Sequence, residues 1–337
     1  MRQLPTLNTP TPKALTLALL LPVLAAPASA AERYALVVSG VSGGDKYAAQ
    51  QQAWKTDVTA FLTAGAAVPE ANVVILDEQS APSSTSTAGN VRRVLGDLRG
   101  RVTTADTLLV MLIGHGTFDG EDAKFNLVGP DLSAAEWHHL LDGLAGRVIV
   151  VNTTESSFPF LDTLSRPGRI VITATDSTAQ RFATVFPEYF IRALSSASSD
   201  FDKNGRVSIW EAFAAASAGV RQHYEQRGQL STERPLLDDD GDGLGREADA
   251  PGEDGTLARV VYLSAEPGAA SGDAALAALE LQRVTLERQL DDLKARKASM
   301  EETAYQAELE RILIELATIA RQIRQRSGQL GYIDATP

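Results

Sequence analysis

The sequence predicts an α/β domain with a mostly parallel sheet covered by helices on both faces. Short apolar runs alternate with segments of helical periodicity from residue 33 onward, which is the pattern of repeated βαβ units. The segment 106–114 (DTLLVMLIG) is apolar without alternation, as expected of a strand buried on both faces. Short connections between the segments favour crossovers to neighbouring parallel strands.

The elements follow one another in alternating order. The expected strands are 33–41, 72–78, 106–114, 147–152 and 168–175, with 257–264 as a candidate closing strand. The expected helices are 46–65, 91–102, 132–144 and 184–196. Ser86 or Thr87 is a candidate N-cap for the second helix. The acidic, Gly- and Asp-rich stretch 200–256 interrupts this order, so we expect the α/β domain over 31–199 with an insertion after it.

The composition is that of a folded globular protein, with 44% hydrophobic and 22% charged residues among 337. The formal net charge of −12 opposes binding to nucleic acid or an anionic membrane and is compatible with metal cations. The chain contains no cysteine, so disulfide bonds cannot stabilise it. Packing and bound metal are the remaining sources of stability.

Residues 1–30 have the pattern of a secretory signal peptide. Arg2 and Lys13 supply a basic start, an apolar run follows, and APASA places small residues before a cleavage site at Ala30. An uncleaved membrane anchor is the alternative, although the apolar run is short for a span. We therefore expect an exported protein, periplasmic or secreted, with no membrane span after signal removal.

Two strand ends carry residues suited to nucleophilic acyl transfer. The strand 106–114 leads into His115 and Gly116, and the strand 147–152 leads into a polar turn, 152–157 (NTTESS). The carboxyl ends of parallel strands form the ligand site of such a sheet. A His there can act as a base toward a nucleophile on the next strand, and a Gly lets its N–H approach an oxyanion. A purely structural turn is the alternative for Gly-His-Gly.

At these positions the chain resembles the caspase-like fold and, within it, the legumain-like cysteine peptidases. The stretches VVSGVSGGDKY, TAGNVRRVLGDLRGRVTTADTLLVMLIGHG and IVITATDS are similar to the family's strands and its His-Gly block. The turn NTTESS lies over the family pattern Glu-Ala-Cys-Glu-Ser-Gly. The resemblance covers about residues 33–195. It implies that His115 is the base, Gly116 an oxyanion donor and Thr154 the nucleophile position.

The chain departs from the family pattern at the nucleophile. A thiol ionises near pH 8.5, whereas the Thr154 hydroxyl ionises many units higher, and its β-branched side chain crowds attack. Ser157 replaces the family's glycine. We therefore expect an inactive peptidase-like site, a pseudopeptidase. The alternative is a hydrolase in which Ser156 or Ser157 works with His115.

The segment 200–211 (DFDKNGRVSIWE) matches the EF-hand loop pattern at every fixed position. Helical segments precede and follow it, as the motif requires. The expected calcium ligands are Asp200, Asp202, Asn204, the Arg206 carbonyl, Ser208 and Glu211. An acidic turn without metal is the alternative.

A second stretch, 238–249 (DDDGDGLGREAD), repeats the same offsets more loosely. Asp238, Asp240 and Asp242 occupy the first three ligand positions, and Asp249 occupies the twelfth. Asp249 is shorter than the usual glutamate, so we expect a looser Ca²⁺ site or a solvated acidic loop. Pairing of the two loops would give an EF-hand pair.

The C-terminal region predicts a long helix. After a linker at 265–272, the segment 273–326 has leucines seven apart, for example Leu279, Leu286 and Leu293, before a tail at 327–337. This spacing is typical of a coiled coil. The register slips near Ala304, which indicates a skip or a bend into a helical hairpin. Self-association through this helix is expected, and packing back on its own domain is the alternative.

Together these features favour an exported, calcium-binding pseudopeptidase that acts as a binding or assembly module. Its expected partner is a protein or an extended peptide, because groove contacts do not need a nucleophile. Two alternatives remain: a hydrolase that uses a hydroxyl with His115, and a scaffold whose coiled coil acts while the α/β domain is a cap.

Overall fold

The computed structural model describes residues 31–66, 68–264, 274–297 and 300–333. The predicted signal peptide and the linker 265–272 lie outside the described residues, as do the last four residues of the predicted tail.

One six-stranded sheet forms the centre of the described chain. In chain order its strands are β1 (Arg33–Ser39), β2 (Val73–Leu76), β3 (Thr107–Ile113), β7 (Arg147–Asn152), β8 (Ile170–Thr173) and β9 (Leu236–Asp238). They lie in the order β2-β1-β3-β7-β8-β9. All neighbouring pairs are parallel except β8 and β9. The predicted α/β class with a mostly parallel sheet is therefore confirmed.

Helices cover both faces of the sheet. They are α1 (Asp45–Ala60), α2 (Ala88–Arg101), α3 (Ala134–Leu141), α4 (Phe158–Leu164), α5 (Phe186–Ser195) and α6 (Ile209–Glu225). Alternate residues of β3 face opposite cores: Met111 packs with residues of α1, α5 and α6, and Val110 packs with residues of α2, α3 and α4. Both layers bury apolar side chains of β3, which explains its uninterrupted apolar sequence.

A small antiparallel sheet follows directly after β3, and sequence reasoning missed it. It consists of β4 (Gly116–Phe118), β5 (Ala123–Phe125) and β6 (Leu132–Ser133). Gly116 pairs with Phe125, which is fully buried. This sheet fixes the chain immediately after His115, so the backbone N–H of Gly116 has a defined position.

The segment 257–264 does not close the sheet, so that expectation was wrong. Residues Ala258–Val260 form a single 3-10 turn, and Tyr262 makes an isolated bridge to Ser208 in the insertion. Val261 and Leu263 are buried in the core without joining the sheet. The apolar pattern of this segment therefore reflects core packing. The edge position beside β8 belongs to β9, which lies inside the predicted insertion.

The predicted coiled-coil helix is divided into two helices, α7 (Ala274–Ala295) and α8 (Glu302–Ile333). They contact each other as a hairpin, with Leu293, Tyr305 and Ile312 buried in a small cluster of their own. The turn between them lies just before the register slip noted in the sequence. The long helix expected from the sequence is therefore a helical hairpin in the structure. Among the described residues, every helix is too short or too polar to cross a bilayer.

Candidate functional site

The sheet brings the two predicted strand ends together. Strands β3 and β7 are parallel neighbours with Leu112 opposite Asn152, so the residues that follow them share one edge. A Cβ placed on Gly116 would lie only 2.7 Å from Thr154 Oγ1. Glycine is therefore required at position 116 by the close approach of the turn. Gly116 and Thr154 therefore lie side by side at this edge of the sheet.

Thr154 is fully buried and its hydroxyl is engaged. Thr154 Oγ1 donates to Asn152 Oδ1 at 2.9 Å, and the Thr154 backbone N–H donates to the same oxygen at 3.1 Å. One amide side chain thus holds the turn through two hydrogen bonds, as Asn commonly does. The hydroxyl proton points to Asn152, so the bonding that would activate Thr154 through His115 is replaced by a structural contact.

Glu155 occupies the groups that a peptidase would use. Glu155 Oε1 lies 3.1 Å from His115 Nδ1, and Glu155 Oε2 accepts from the Gly116 backbone N–H at 3.3 Å. The hydrogen bond to the Glu155 carboxylate raises the pKa of His115. Burial lowers this pKa, and a hydrogen bond to the Ser42 backbone raises it further. The carboxylate therefore favours the protonated ring, which cannot accept a proton from a nucleophile.

The two serines of the turn differ in their surroundings. Ser157 is fully buried, its Oγ accepts from the Ala174 backbone N–H at 3.1 Å, and it lies 3.0 Å from Thr175 Oγ1. Ser157 is thus a structural link between the turn and β8. Ser156 is also buried, but it lies beside Gly116, since a Cβ on that glycine would be 3.1 Å from Ser156 Cβ. Among the described residues, no hydrogen bond joins Ser156 to His115.

In the first acidic loop, side-chain oxygens accept hydrogen bonds from backbone N–H groups of the same loop. Asp200 Oδ2 accepts from Gly205 N at 2.9 Å, Asp202 Oδ1 accepts from Asn204 N at 3.0 Å, and Asn204 Oδ1 accepts from Arg206 N at 2.9 Å. Gly205 has a φ of 85°, which suits glycine. These bonds connect loop positions one to six, three to five and five to seven.

The second acidic loop repeats the same three bonds. Asp238 Oδ2 accepts from Gly243 N at 2.8 Å, Asp240 Oδ1 accepts from Asp242 N at 2.9 Å, and Asp242 Oδ1 accepts from Leu244 N at 2.6 Å. Gly243 has a φ of 77°. The two loops therefore share a backbone conformation as well as a residue pattern, which the looser sequence match of the second did not guarantee.

Each loop gathers carboxylates that could hold a metal ion. Asp200, Asp202 and Glu211 have oxygens within 4.8 Å of one another, and so do Asp238, Asp240 and Asp242. Oxygen donors of this kind suit a hard cation such as Ca²⁺. The donor chemistry of both loops therefore fits the metal that the sequence suggested.

Helix α6 begins at the first loop, and this fixes Glu211. Ser208 is the N-cap of α6, and it forms a reciprocal capping box with Glu211. Glu211 Oε1 also accepts from Phe201 N at 2.8 Å. The side chain of Arg206 lies outside the ligand set, 4.0 Å over the ring of Tyr262, which leaves the Arg206 carbonyl as the donor expected from the motif.

The second loop lacks its predicted twelfth ligand. Asp249 is paired with Arg221 at 3.0 Å on the surface and is not part of the carboxylate cluster. Asp162, which the sequence did not single out, lies nearer, because a Cβ on Gly243 would be 2.7 Å from Asp162 Oδ1. This carboxylate comes from α4, which is distant in sequence, so spacing alone could not find it.

The two loops are also not bridged to each other as an EF-hand pair would be. The first loop bridges to Tyr262 through Ser208, and the second is joined to β9 through Leu237 and Arg246. The second loop is therefore an extension of the main sheet, which explains why it does not pair with the first.

Crowding of negative charge is evident at both loops. Burial, followed by the charge of Glu211, raises the pKa of Asp202 to about 6. Burial and the charges of Asp238 and Asp240 raise the pKa of Asp254 to about 7, against the lowering effect of a hydrogen bond from the Asp239 backbone. A bound cation would offset this repulsion at each loop.

No family model matches the chain, and no curated protein matches it either. Among solved structures, the chain is similar to a Geobacter sulfurreducens protein whose crystal structure was determined as a structural-genomics target. The sequences are 15% identical, the match covers 61% of this chain and 92% of that chain, and the TM-score is 0.39. Similarity at this level supports no statement about function, so the function must be argued from the residues.

The contact between His115 and Glu155 should make stability depend on pH. Because Glu155 raises the pKa of His115, its stabilisation is complete below the ordinary His pKa of about 6.5 and is lost as pH rises through the higher folded-state pKa. We expect the stability advantage of wild type over His115→Gln, measured by denaturant titration, to shrink as pH rises above about 6.5. Glu155→Gln should remove the same pH dependence. An advantage that stays constant with pH would contradict the ion pair.

Proposed function

We propose that the chain is an exported, calcium-binding pseudopeptidase that serves as a binding module. The observation that carries this proposal is Thr154, which stands at the nucleophile position, is fully buried and donates its hydroxyl proton to Asn152 Oδ1 at 2.9 Å. The groups that would serve as base and oxyanion donor in a legumain-like peptidase, His115 and the Gly116 N–H, both contact the Glu155 carboxylate, although Glu155 matches a glutamate of the family pattern. The resemblance therefore supports a retained fold without retained chemistry.

Three requirements for cleavage are unfavourable at this site. The hydrogen bond to Glu155 raises the pKa of His115 and so favours the charged form of the base. The residue at the nucleophile position, Thr154, is buried and donates its proton to Asn152. The oxyanion donor, Gly116 N–H, would have to exchange an anionic partner for the substrate oxygen, and a negative charge beside a developing oxyanion opposes its formation. These features favour binding over catalysis.

A hydrolase that uses Ser156 is the second candidate, and its position beside Gly116 is the observation in its favour. Activation would require Glu155 to leave His115 and the ring to lose its proton. The same carboxylate could instead orient the ring, as the acid of a Ser-His-Asp triad does. Activity measurements separate these two roles of Glu155.

The peptidase site is tested with thiol variants. We expect no cleavage of a mixed peptide library by wild type or His115→Ala. Thr154→Cys together with Glu155→Gln should introduce a thiol beside an unpaired His115, giving faster iodoacetamide labelling near neutral pH and weak cleavage. Thr153→Cys is the matched control, because Thr153 is equally buried and its hydroxyl bonds to Leu112 O instead. Cleavage by wild type that disappears in His115→Ala would establish the Ser156 hydrolase instead.

The calcium proposal is supported by the shared hydrogen-bond pattern and by the mixture of donors. Carboxylate, amide and backbone carbonyl oxygens in a flexible loop suit Ca²⁺ better than the smaller, strictly octahedral Mg²⁺. The first loop lies where α6 begins, and the second lies at the end of β9. A cation at either loop would therefore stabilise the folded domain, which is the role expected of calcium outside the cell.

Substitution of Glu211 in the first loop should weaken calcium binding more than substitution of Asp249 in the second. Glu211→Gln removes a charged donor from the first loop and should weaken calcium binding by roughly tenfold or more in calorimetry. Asp249→Asn changes only an exposed ion pair and should change affinity by less than about twofold. Saturating calcium should raise the melting temperature of wild type, because it binds the folded state preferentially. Equal losses in the two variants would refute this assignment of ligands.

The helical hairpin is the proposed surface for self-association and for assembly with a protein or peptide. Some leucines of the predicted coiled coil are buried within the hairpin: Leu286 is 7% exposed and Leu293 is fully buried. Leu313 and Ile314 remain exposed, at 47% and 59%, on α8. Exposed apolar neighbours of this kind favour contact with another chain. The same arrangement is compatible with a scaffold protein in which the hairpin binds the partner and the α/β domain is a cap.

Self-association is tested by light scattering at tens of micromolar protein. We expect wild type to be oligomeric and the double variant Leu313→Lys, Ile314→Lys to shift toward the monomer mass, because two charges would be buried at the contact. Leu230→Lys is the control, since Leu230 is 91% exposed and lies outside the hairpin. A monomeric wild type would end the self-association proposal.

A further inference from the structure

A polar cavity of about 300 Å³ lies at the edge of the sheet opposite the candidate peptidase site. Its walls are formed by residues 144–148 and 166–169, with Thr104. These segments include the starts of β7 and β8, whereas His115 and Thr154 follow the ends of strands. The cavity is thus separate from the peptidase-like turn, whereas Gly241 of the second acidic loop packs against the backbone of Arg166 and Pro167 in the cavity wall.

Three arginines line this cavity. Arg147 is the first residue of β7, Arg169 immediately precedes β8, and Arg166 lies in the turn before it. Arg147 is exposed, and its guanidinium has no partner among the described residues. The register that aligns Ile149 with Ile170 brings the starts of the two strands side by side. The positive charges therefore converge because of strand pairing and not because they are close in sequence.

Arg169 is unusual because it is buried. Its side chain is 3% exposed, Nη1 donates to Leu164 O at 2.9 Å, and Nη2 donates to Leu141 O at 3.3 Å. Its Nε is buried without a partner among the described residues. Burial and the nearby charge of Arg166 lower the pKa of Arg169 to about 10, so the group stays charged at neutral pH. A buried cation with incomplete hydrogen bonding is costly unless something compensates it.

The nearby negative charge is insufficient to balance this cluster. Asp142 is shared by Arg166 at 2.9 Å, Arg169 at 3.8 Å and His138 Nε2 at 3.2 Å. The buried carboxylate of Asp106 is occupied by hydrogen bonds from Thr103 and the Glu32 backbone. Arg166 and Arg169 thus share one carboxylate, and Arg147 adds a third guanidinium, in a chain whose net charge is −12. Such a local excess of positive charge attracts anions.

We propose that the cavity lined by Arg147, Arg166 and Arg169 binds a phosphate group. Guanidinium groups present forked N–H donors that match the oxygens of phosphate and carboxylate. A phosphate offers more acceptor oxygens and up to two negative charges, which suits the exposed guanidiniums of Arg147 and Arg166. Arg169 adds a buried positive charge behind them, because its Nη groups already donate to Leu164 O and Leu141 O. The ligand is inorganic phosphate or the phosphate end of a small monoester, and both present the same chemistry.

The experiment uses the full chain in chloride buffer at fixed ionic strength. Inorganic phosphate should bind saturably in calorimetry and raise the melting temperature, and acetate at equal ionic strength should do neither. Arg147→Gln and Arg166→Gln, both at exposed positions, should each weaken phosphate binding by about tenfold. Arg181→Gln is the charge-matched control, because Arg181 is exposed and follows the opposite end of β8, and its affinity should equal that of wild type.

Glycerol 3-phosphate distinguishes the two sources of the phosphate group: tighter binding than inorganic phosphate indicates a monoester, and equal or weaker binding indicates the free ion. The proposal is overturned if wild type shows no saturable phosphate binding, if acetate binds equally well, or if Arg181→Gln loses as much affinity as Arg147→Gln. The two cavity variants replace no carboxylate of the acidic loops and leave His115 intact, so an unchanged calcium affinity in both variants separates these outcomes from the calcium and pseudopeptidase proposals.

Discussion

The pairing of β3 with β7 is the interaction on which the other features depend. Its parallel register places Leu112 opposite Asn152 at one end and Thr107 opposite Arg147 at the other. The first end positions the His115 loop against the Thr154 turn, and the second end positions the arginine cavity. Both strands are buried on both faces, so a shift of this register would move apolar side chains out of two cores at once. The register is therefore strongly constrained by packing alone.

The polar turn after β7 is tied into the fold by several side-chain hydrogen bonds. Asn152 accepts a hydrogen bond from Thr154, and Ser157 accepts one from the backbone N–H of Ala174, just after β8. Glu155 forms a hydrogen bond with His115. Helix α4 then leads from this turn to the second acidic loop, where Ser165 Oγ accepts from Gly243 N at 3.0 Å. A seven-residue helix thus connects the turn to a candidate cation loop.

Sequence reasoning succeeded where a local pattern determines the structure. The βαβ alternation predicted the parallel sheet, and the spacing of Asp200 and Glu211 predicted a loop whose hydrogen bonds the structure shows. It failed where a long-range contact decides. Residues 236–238 form the edge strand, because they pair with β8. The segment 257–264 buries apolar side chains in the core without joining the sheet. Asp249 pairs with Arg221 on the surface instead of joining the loop. Glu155 contacts His115, forty residues away, and Asp162 lies beside Gly243, about eighty residues away.

Strand β9 has a further consequence for the solubility of the protein. Leu237 pairs with Ile172 of β8 on one side, and on the other it exchanges backbone hydrogen bonds with Arg246 at 2.9 and 2.8 Å. The strand that ends the sheet is therefore also bridged on its outer edge, at Leu237. An unpaired edge strand is a template for aggregation, and charged residues beside it oppose the addition of another chain. The acidic loop thus also serves as a cover that keeps the sheet from growing.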